Sequence, residues 1–408
     1  MEANKRILGG LLITVAIVSF SCMTGNKKNT QSGDILNNCP VVAQYVQVGD
    51  DKVMVCDQKL FADTIRLPLS FFTEEMQIIK LDNRDEALVG QTAITASENY
   101  LLAHSGYPPK PFKLFDKTGK FLTEIGSIGQ GPSEYQSVYD AQLDEANDRI
   151  YLMPWQSQKL LVYDLKGKSL DPIPLCLRCP KAKFRVDTQA GTVAVVLLPF
   201  KGIPAVAWTQ DLKGNRLNYI EPGYLEAPMD FSNEVTSGKN IPGVFDVNIL
   251  CIAPTRVDSL YRYDTEKGRL QPTFTLKFPD ADNIPWHNYS EWPDFFTGNT
   301  SAPPVEIEPG MLVGGETIHY IVDKQTCKGA YFKLFNDFFG NQEIGWPSGA
   351  FSNGYYINNI EPGNLLSNIE TLLQEKDLTE SMRKKLTDLQ ATIDENDNNY
   401  VFIARLKK

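Results

Sequence analysis

The chain has 408 residues, a formal net charge of −10 and a pI near 5.0. Such an acidic chain gains nothing from releasing counterions on phosphate, which excludes nucleic acid as a natural partner and argues against general attraction to anionic lipid heads. Apolar residues make up 42% of the chain, enough for the core of one large β domain or two ordinary ones.

The N-terminus reads as a targeting segment. Lys5 and Arg6 are basic, Ile7 to Val18 is an apolar run of 12 residues, and Ser19-Phe20-Ser21-Cys22 follows. Twelve residues are too few to span a ~30 Å hydrocarbon core as a helix. Small residues before a cut suit a signal peptidase, and a Cys just after it is the pattern of a bacterial lipoprotein. Residues 1–21 are therefore expected to be a signal peptide and Cys22 the lipidated residue. Ser19 stands where lipoprotein signals usually carry Leu, which leaves cleavage without acylation open. Several acyl chains on one residue would anchor the protein stably, at ~0.8 kcal/mol per buried CH₂. Residues 22–40 are polar and read as a tether. Beyond Cys22 there are six cysteines, at 39, 56, 176, 179, 251 and 327. Export would allow them to pair in about fifteen ways, and spacing does not choose among these.

From residue 41 onwards a phrase recurs. Phe115-Asp-Lys-Thr-Gly-Lys120 returns as Tyr163-Asp-Leu-Lys-Gly-Lys168, Gln210-Asp-Leu-Lys-Gly-Asn215 and Tyr263-Asp-Thr-Glu-Lys-Gly268. The turn glycines, 119, 167, 214 and 268, are 48, 47 and 54 residues apart, with alternating apolar runs on both sides. A period near fifty with four short strands and one polar turn per unit predicts a ring of β-sheets, since no such unit can cover both of its own apolar faces. An initial, degenerate unit is expected over residues 43–88. Clear units should follow from Ala93 to Ile125, from Ala141 past Lys168 and over Phe184–Ile220, then looser ones over Val244–Phe278 and Glu306–Phe335 with Cys327-Lys-Gly329 in the turn slot. The exception to β structure is residues 364–393. Leu365, Leu366, Ile369, Leu372 and Leu373, then Met382, Leu386, Leu389 and Ile393, recur at helical spacing, and Asp377-Leu-Thr-Glu380 resembles a capping box. Residues 400–406 form a last strand placed to close the ring and remove an exposed edge. The fold class predicted for residues 41–408 is all-β: a six-bladed β-propeller of four-stranded antiparallel blades with a small C-terminal helical insertion.

The blade phrase Leu114–Phe121, the loop Ile125-Gly-Ser-Ile-Gly-Gln-Gly-Pro-Ser-Glu-Tyr135, the run Asp148-Arg-Ile-Tyr-Leu152, the run Lys159–Gly167 and the ending Asn398–Lys407 carry a resemblance. The chain resembles six-bladed, NHL-repeat-like propeller lipoproteins of Bacteroides-type bacteria, closely over 110–170 and in rhythm elsewhere. The resemblance implies a fold and a place in the cell envelope, at the outer membrane. It implies no catalytic residue.

Candidate chemistry is sparse. Gly126-Ser-Ile-Gly129-Gln-Gly131-Pro132 looks like a phosphate loop but leads into a strand rather than a helix, so it reads as a tight connection. Cys176-Leu-Arg-Cys179 is a lone pair among prolines, without the second pair that zinc needs. Asp280-Ala-Asp282-Asn283 lacks the glycine and terminal Glu of a calcium loop. The segment Ile284-Pro-Trp-His-Asn-Tyr-Ser-Glu-Trp-Pro-Asp-Phe-Phe296 reads as a long rim loop in which Trp286, Tyr289 and Trp292 would stack on a sugar or another flat ligand. Trp155, Trp208 and Trp346 read as blade core or rim.

Two function classes follow. The first is a membrane-anchored binding protein that presents rim loops and axial channel to a glycan, peptide or envelope protein and needs no cofactor. The second is a hydrolase or lyase on the propeller axis, using a divalent metal (calcium or zinc) with His104 and His319 as candidate ligands. His287, the third histidine, lies in the aromatic segment. A structural subunit of an envelope complex is a blander third reading. Without a compact catalytic constellation, the enzyme reading has less to stand on.

Overall fold

The structure, a computed structural model, describes residues 35–407 apart from 105–107, 252–254, 303–304, 309–310, 314 and 346. The signal segment, Cys22 and Trp346 lie outside the described residues. The chain forms a six-bladed β-propeller. Blade 1 consists of Ala93–Ala96, Tyr100–His104, Phe112–Asp116 and Phe121–Ile125. Blade 2 is Val138–Asp144, Arg149–Pro154, Ser157–Tyr163 and Ser169–Cys179; blade 3 is Ala182–Asp187, Thr192–Leu197, Ala207–Asp211 and Arg216–Ile220. Blade 4 is Glu234–Thr236, Asp246–Leu250, Ser259–Asp264 and Arg269–Lys277; blade 5 is Trp286–Glu291, Phe295–Ser301, Thr317–Asp323 and Gly329–Asn336. Blade 6 joins Phe351–Ser352, Tyr355–Ile360 and the C-terminal Tyr400–Arg405 to Gln77–Lys80 from the other end of the chain.

The alternation within each strand explains the ring. Leu101, Ala103 and Phe115 of blade 1 face blade 6, where they meet Ile79, Val401 and Ile403. Their neighbours Leu102 and Leu114 face blade 2 and meet Ile150, Leu152 and Leu161. Six apolar cores of this kind lie between the six successive pairs of blades. Each blade is thus buried on both faces by its neighbours, which a stack achieves without an end only by closing on itself.

The repeated phrase is the spacer of this stack. Its Asp accepts hydrogen bonds from backbone N–H groups two to four residues on: Asp116 from Thr118 and Lys120, Asp164 from Lys166 and Lys168, Asp211 from Lys213 and Asn215. Its glycine abuts the outer strand of the preceding blade. A Cβ on Gly119 would lie 2.0 Å from the Lys80 carbonyl oxygen, and one on Gly167 would lie 2.4 Å from that of Glu124. Both residues also have φ above +75° (87° and 80°), so glycine is required on two counts.

Four expectations are corrected. Residues 43–80 are not a blade. They step along the outer edges of three: Asp51–Asp57 pairs in parallel with Arg269–Lys277 of blade 4, Thr64–Pro68 pairs in parallel with Gly329–Asn336 of blade 5, and Gln77–Lys80 completes blade 6. Strand-like segments in this stretch reflect edge pairing rather than a self-contained sheet. Second, blade 5 opens at Trp286, not near Glu306. The aromatic segment is its first strand, held by a register running from Trp286↔Ser301 to Glu291↔Phe296. Val305–Glu308 and Met311–Val313 pair as a two-stranded excursion between its second and third strands. Third, the left-handed turn residue of blade 5 is Cys327 (φ 58°), not Gly329, which lies in a strand against Val42 and Phe61. Asp323 and Cys327 hold the same four-residue separation as Asp264 and Gly268. Fourth, the helix over Glu380–Gln390 is capped by the Thr379 hydroxyl on the Met382 N–H at 3.2 Å, not by a box opening at Asp377. This helix (α2) and Pro362–Leu373 (α1) place Leu365, Ile369, Leu372 and Leu386 in the core between blades 5 and 6. Among the described residues no helix is long and apolar enough to cross a membrane.

Candidate functional site

The first strands of the blades surround the axis, and their period of two sends polar side chains inward. In blade 3, Ala182, Phe184 and Val186 are buried in an inter-blade core while Lys183 and Arg185 face the channel. In blade 2, Asp140, Gln142 and Asp144 reach the bare edge of blade 3. The Asp140 carboxylate accepts from the Phe184 N–H (3.0 Å), and the Gln142 amide pairs with both the N–H and the C=O of Val186 (2.8 and 2.9 Å). Asp144 accepts from the Thr188 hydroxyl (3.0 Å). This ladder supplies partners that inner edge strands would otherwise lack.

A loop of blade 4, residues 237–245, crosses the axis. Asp246 holds its start by accepting from the Ser237 hydroxyl and the Gly238 and Lys239 N–H groups. Contacts tie it to three other blades: Lys239 to Asp140 of blade 2, Arg185 of blade 3 to the Gly243 carbonyl, and Asn353 N–H of blade 6 to the Gly238 carbonyl at 3.0 Å. The strap divides the channel into two chambers that share Thr95, Ala141, Lys239 and Asn353. The larger, about 430 Å³, is lined by blades 1, 2, 3, 4 and 6; the smaller, about 280 Å³, contains Arg185. Both Lys239 (φ 51°) and Asn353 (φ 53°) are left-handed non-glycine residues, a backbone cost that the crossing contacts must offset.

Charge converges on the larger chamber. The Lys239 ammonium lies 3.0 Å from one Asp140 oxygen and the Lys183 ammonium 3.6 Å from the other, with both lysine side chains about one-fifth exposed (18% and 19%). Burial pushes the Asp140 carboxyl up, but Lys239, Lys183 and the Phe184 N–H outweigh it and hold the pKa below the ordinary carboxylate range. Asp140 is therefore ionised at neutral pH. His104 lines the same chamber, stacked on Phe112 at 4.8 Å. Burial, then repulsion by Lys183, lowers its pKa to about 4 against the pull of Asp140, so the imidazole is neutral.

The sequence-predicted residues fare unevenly. Tyr289 and Trp292 are each 2% exposed. Tyr289 packs on Phe274, and Trp292 lies between Phe72 and Phe351 with centroid distances of 4.4 Å to each. Their rings belong to inter-blade cores. Trp286, 45% exposed, lines a separate pocket of about 290 Å³ between blades 4 and 5, beside His287, Asn288 and Cys251. His104 sits on blade 1 and His319 on the third strand of blade 5, against Phe332, and the fold does not bring them into one ligand set. Among the described residues no group of three or more His, Cys, Asp or Glu is placed to hold a metal ion. Cys39, Cys56, Cys176, Cys179, Cys251 and Cys327 are free thiols whose pKa burial raises. Asp280 is spent on its own turn, accepting from the Asp282 N–H and the Asn283 amide. Sequence reasoning did not find Asp140, Lys183 and Lys239. The alternation in Ala182-Lys-Phe-Arg-Val186 was the available signal, but which face of a strand meets the axis is a property of the closed ring.

With the fold and the axial site in place, comparison with known proteins adds a family. A family model described as a domain of unknown function, DUF4934, matches residues 51–405. The chain belongs to this family. No curated protein matches the chain. Among solved structures, it is similar to a Bacteroides fragilis protein described as exported, BF0058, at 16% identity and a TM-score of 0.59, covering 87% of this chain and 100% of that one. It is also similar to a DUF4221 family member from Bacteroides vulgatus, at 13% identity and a TM-score of 0.40, covering 82% and 97%. The first likeness is one of fold.

Proposed function

We propose that this DUF4934 protein is exported, anchored through a lipidated Cys22 at the outer membrane, and binds a small polar ligand in its axial chamber. The observation that carries the reading is the chamber itself: an axial pocket of about 430 Å³, floored by the strap and lined by hydroxyls, amides and two lysines from five of the six blades. A binding site built from separate, mutually braced strands is pre-organised, so little ordering entropy opposes capture. The N-terminal signal pattern supports export, as does the description of the similar Bacteroides fragilis protein. Trp286, exposed beside its own pocket, offers a second face on which a sugar ring of a longer glycan would stack.

The test is a thermal-shift screen of the full-length protein in detergent against monosaccharides, uronic acids, amino acids and dipeptides. It is run in parallel on Ala93→Trp, whose new side chain would fill the chamber from an exposed position in the lining. A compound that raises the melting temperature of the parent but not of the variant supports axial binding. Hits that stabilise both equally place binding elsewhere and defeat the reading. Globomycin-sensitive processing and incorporation of labelled palmitate that Cys22→Ser abolishes would test the anchor.

A further inference from the structure

We infer that the axial chamber selects an oxyanion, a carboxylate or phosphate carried on a small polyhydroxylated molecule such as an acidic sugar. This inference rests on the axial-binding reading and names the ligand class.

The charge inventory of the axis is asymmetric. The ionisable side chains lining the larger chamber are Lys183, Lys239, Asp140 and the neutral His104 and Tyr139. Two ammonium groups share one carboxylate, one on each of its oxygens, so the side chains of the lining carry an excess of one positive charge. The buried Asp246, outside the lining, is engaged by the Ser237 hydroxyl and the Gly238 and Lys239 N–H groups. Across the strap the smaller chamber adds Arg185 and contributes no carboxylate to its lining. Arg185 donates to the Gly243 carbonyl and, among the described residues, has no carboxylate partner. This cationic axis lies inside a chain whose net charge is −10. Nonspecific anion attraction cannot account for such a distribution; a general surface charge would have the opposite sign.

Geometry makes the excess charge usable. Lys183 is steadied by the Tyr139 carbonyl at 3.4 Å and lies over the Tyr139 ring at 5.0 Å. Lys239 is fixed by its left-handed backbone, which Asp246 holds through the Lys239 N–H at 2.8 Å. Asp140 separates the two ammoniums and keeps them from repelling each other, but it satisfies only one unit of charge. An entering oxyanion would complete a four-charge cluster of two ammoniums and two acid groups, compensating a partly buried positive charge that is costly to leave unpaired. Elsewhere in the lining, Thr95, Ser237, Ser352, Asn353, Asn358 and Asn359 offer hydroxyls and amides suited to ligand hydroxyl groups. Beside them lie the apolar Ile94, Phe112, Val138 and Ile357, on which the face of a sugar ring can rest.

Titration calorimetry of the full-length protein in detergent, at low ionic strength, tests this with glucuronate, inorganic phosphate and neutral glucose. Glucuronate or phosphate should bind, glucose at least about tenfold more weakly, and added salt should weaken the anion. Glucuronate without phosphate would identify an acidic sugar as the source of the oxyanion, and phosphate without glucuronate a phosphorylated one. Lys183→Met, which makes the chamber neutral, should weaken the anion roughly tenfold. Asp140→Asn, which raises the excess to two, should tighten it by a similar factor. These opposite signs separate charge selection from simple damage, and either variant suffices should the other fail to fold. Glucose binding as tightly as glucuronate, or anion affinity unchanged in both variants, overturns the anion inference. If that binding is nevertheless lost in Ala93→Trp, the axial reading survives it; if the anion binds Ala93→Trp undiminished, the axial reading falls too. No binding of either anion at tens of millimolar overturns the inference outright.

Discussion

At the residue scale, the turn of the repeated phrase shows how one position serves two constraints. Gly167 needs a left-handed backbone and an empty Cβ position 2.4 Å from the Glu124 carbonyl. Gly167→Ala should therefore cost more than about 2 kcal/mol, read from urea unfolding, because strain and blade separation add. Blade 5 carries Cys327 at the equivalent left-handed position (φ 58°). Cys327→Gly should stabilise by up to about 1 kcal/mol in the same measurement, since it removes the strain of a Cβ there. His104 gives a pH dependence of definite sign. Its pKa of about 4 in the fold lies below the ordinary 6.5, so the unfolded chain takes up the proton first as pH falls. The stability held by neutral His104 is complete above pH 6.5 and is lost progressively down to about 4, a change of about 3 kcal/mol. Asp140, the carboxylate facing it, is held below the ordinary 3.8 by its two lysines and the Phe184 N–H, outside that window. Unfolding midpoints measured from pH 7 to pH 4 should fall less steeply in His104→Phe.

At the scale of elements, blades are joined by polar fasteners as well as apolar cores. Glu291, 1% exposed on the first strand of blade 5, accepts from Arg262 of blade 4 and from Lys324 at the turn of its own blade. Burial pushes its carboxyl up, but the two cations outweigh it and lower the pKa. Glu291→Leu leaves two cations without their shared partner and should destabilise the fold by about 3–5 kcal/mol, measured by chemical denaturation. The aromatic segment belongs to the same element. A loop was the natural reading of Pro285 and Pro293 in a run rich in Trp and Tyr. Both prolines instead bracket the strand Trp286–Glu291, and its interior residues complete a normal register. Alternation was present, with Tyr289 and Glu291 buried, but aromatic residues on both faces disguised it.

At the scale of the whole molecule, ring closure depends on both ends of the chain. The C-terminal strand Tyr400–Arg405 sits between Tyr355–Ile360 and Gln77–Lys80, so blade 6 is completed by a segment more than 300 residues away in sequence. The parallel strands Asp51–Asp57 and Thr64–Pro68 cover the outer edges of blades 4 and 5 on the way. A chain beginning at Asn83 would expose all three edges. It should elute as aggregate in size-exclusion chromatography rather than as monomer, because bare strand edges pair between molecules.

The repeating four-stranded unit, the turns between strands and the helical insertion were legible in the sequence because each rests on local chemistry. Asp and Gly mark turns by hydrogen bonding and backbone freedom, and Leu365, Ile369 and Leu372 mark a helix by spacing. The total of six followed only from chain length over period, and the sixth blade is assembled from Tyr355–Ile360 and both ends of the chain rather than from residues 43–88 alone. Where residues 43–80 pair was not legible, because an edge strand in a parallel register has no local signature of its partner. The axial site was hidden for a related reason. Lys183, Lys239 and Asp140 come from three blades, and each alone reads as an ordinary surface charge. Only closing the ring turns one face of each inner strand toward a common axis and sets two ammoniums on one carboxylate. The sequence by itself determined the repeating unit and its stacking; the tertiary structure decided which charges meet, because their proximity is created by closure and by no local contact.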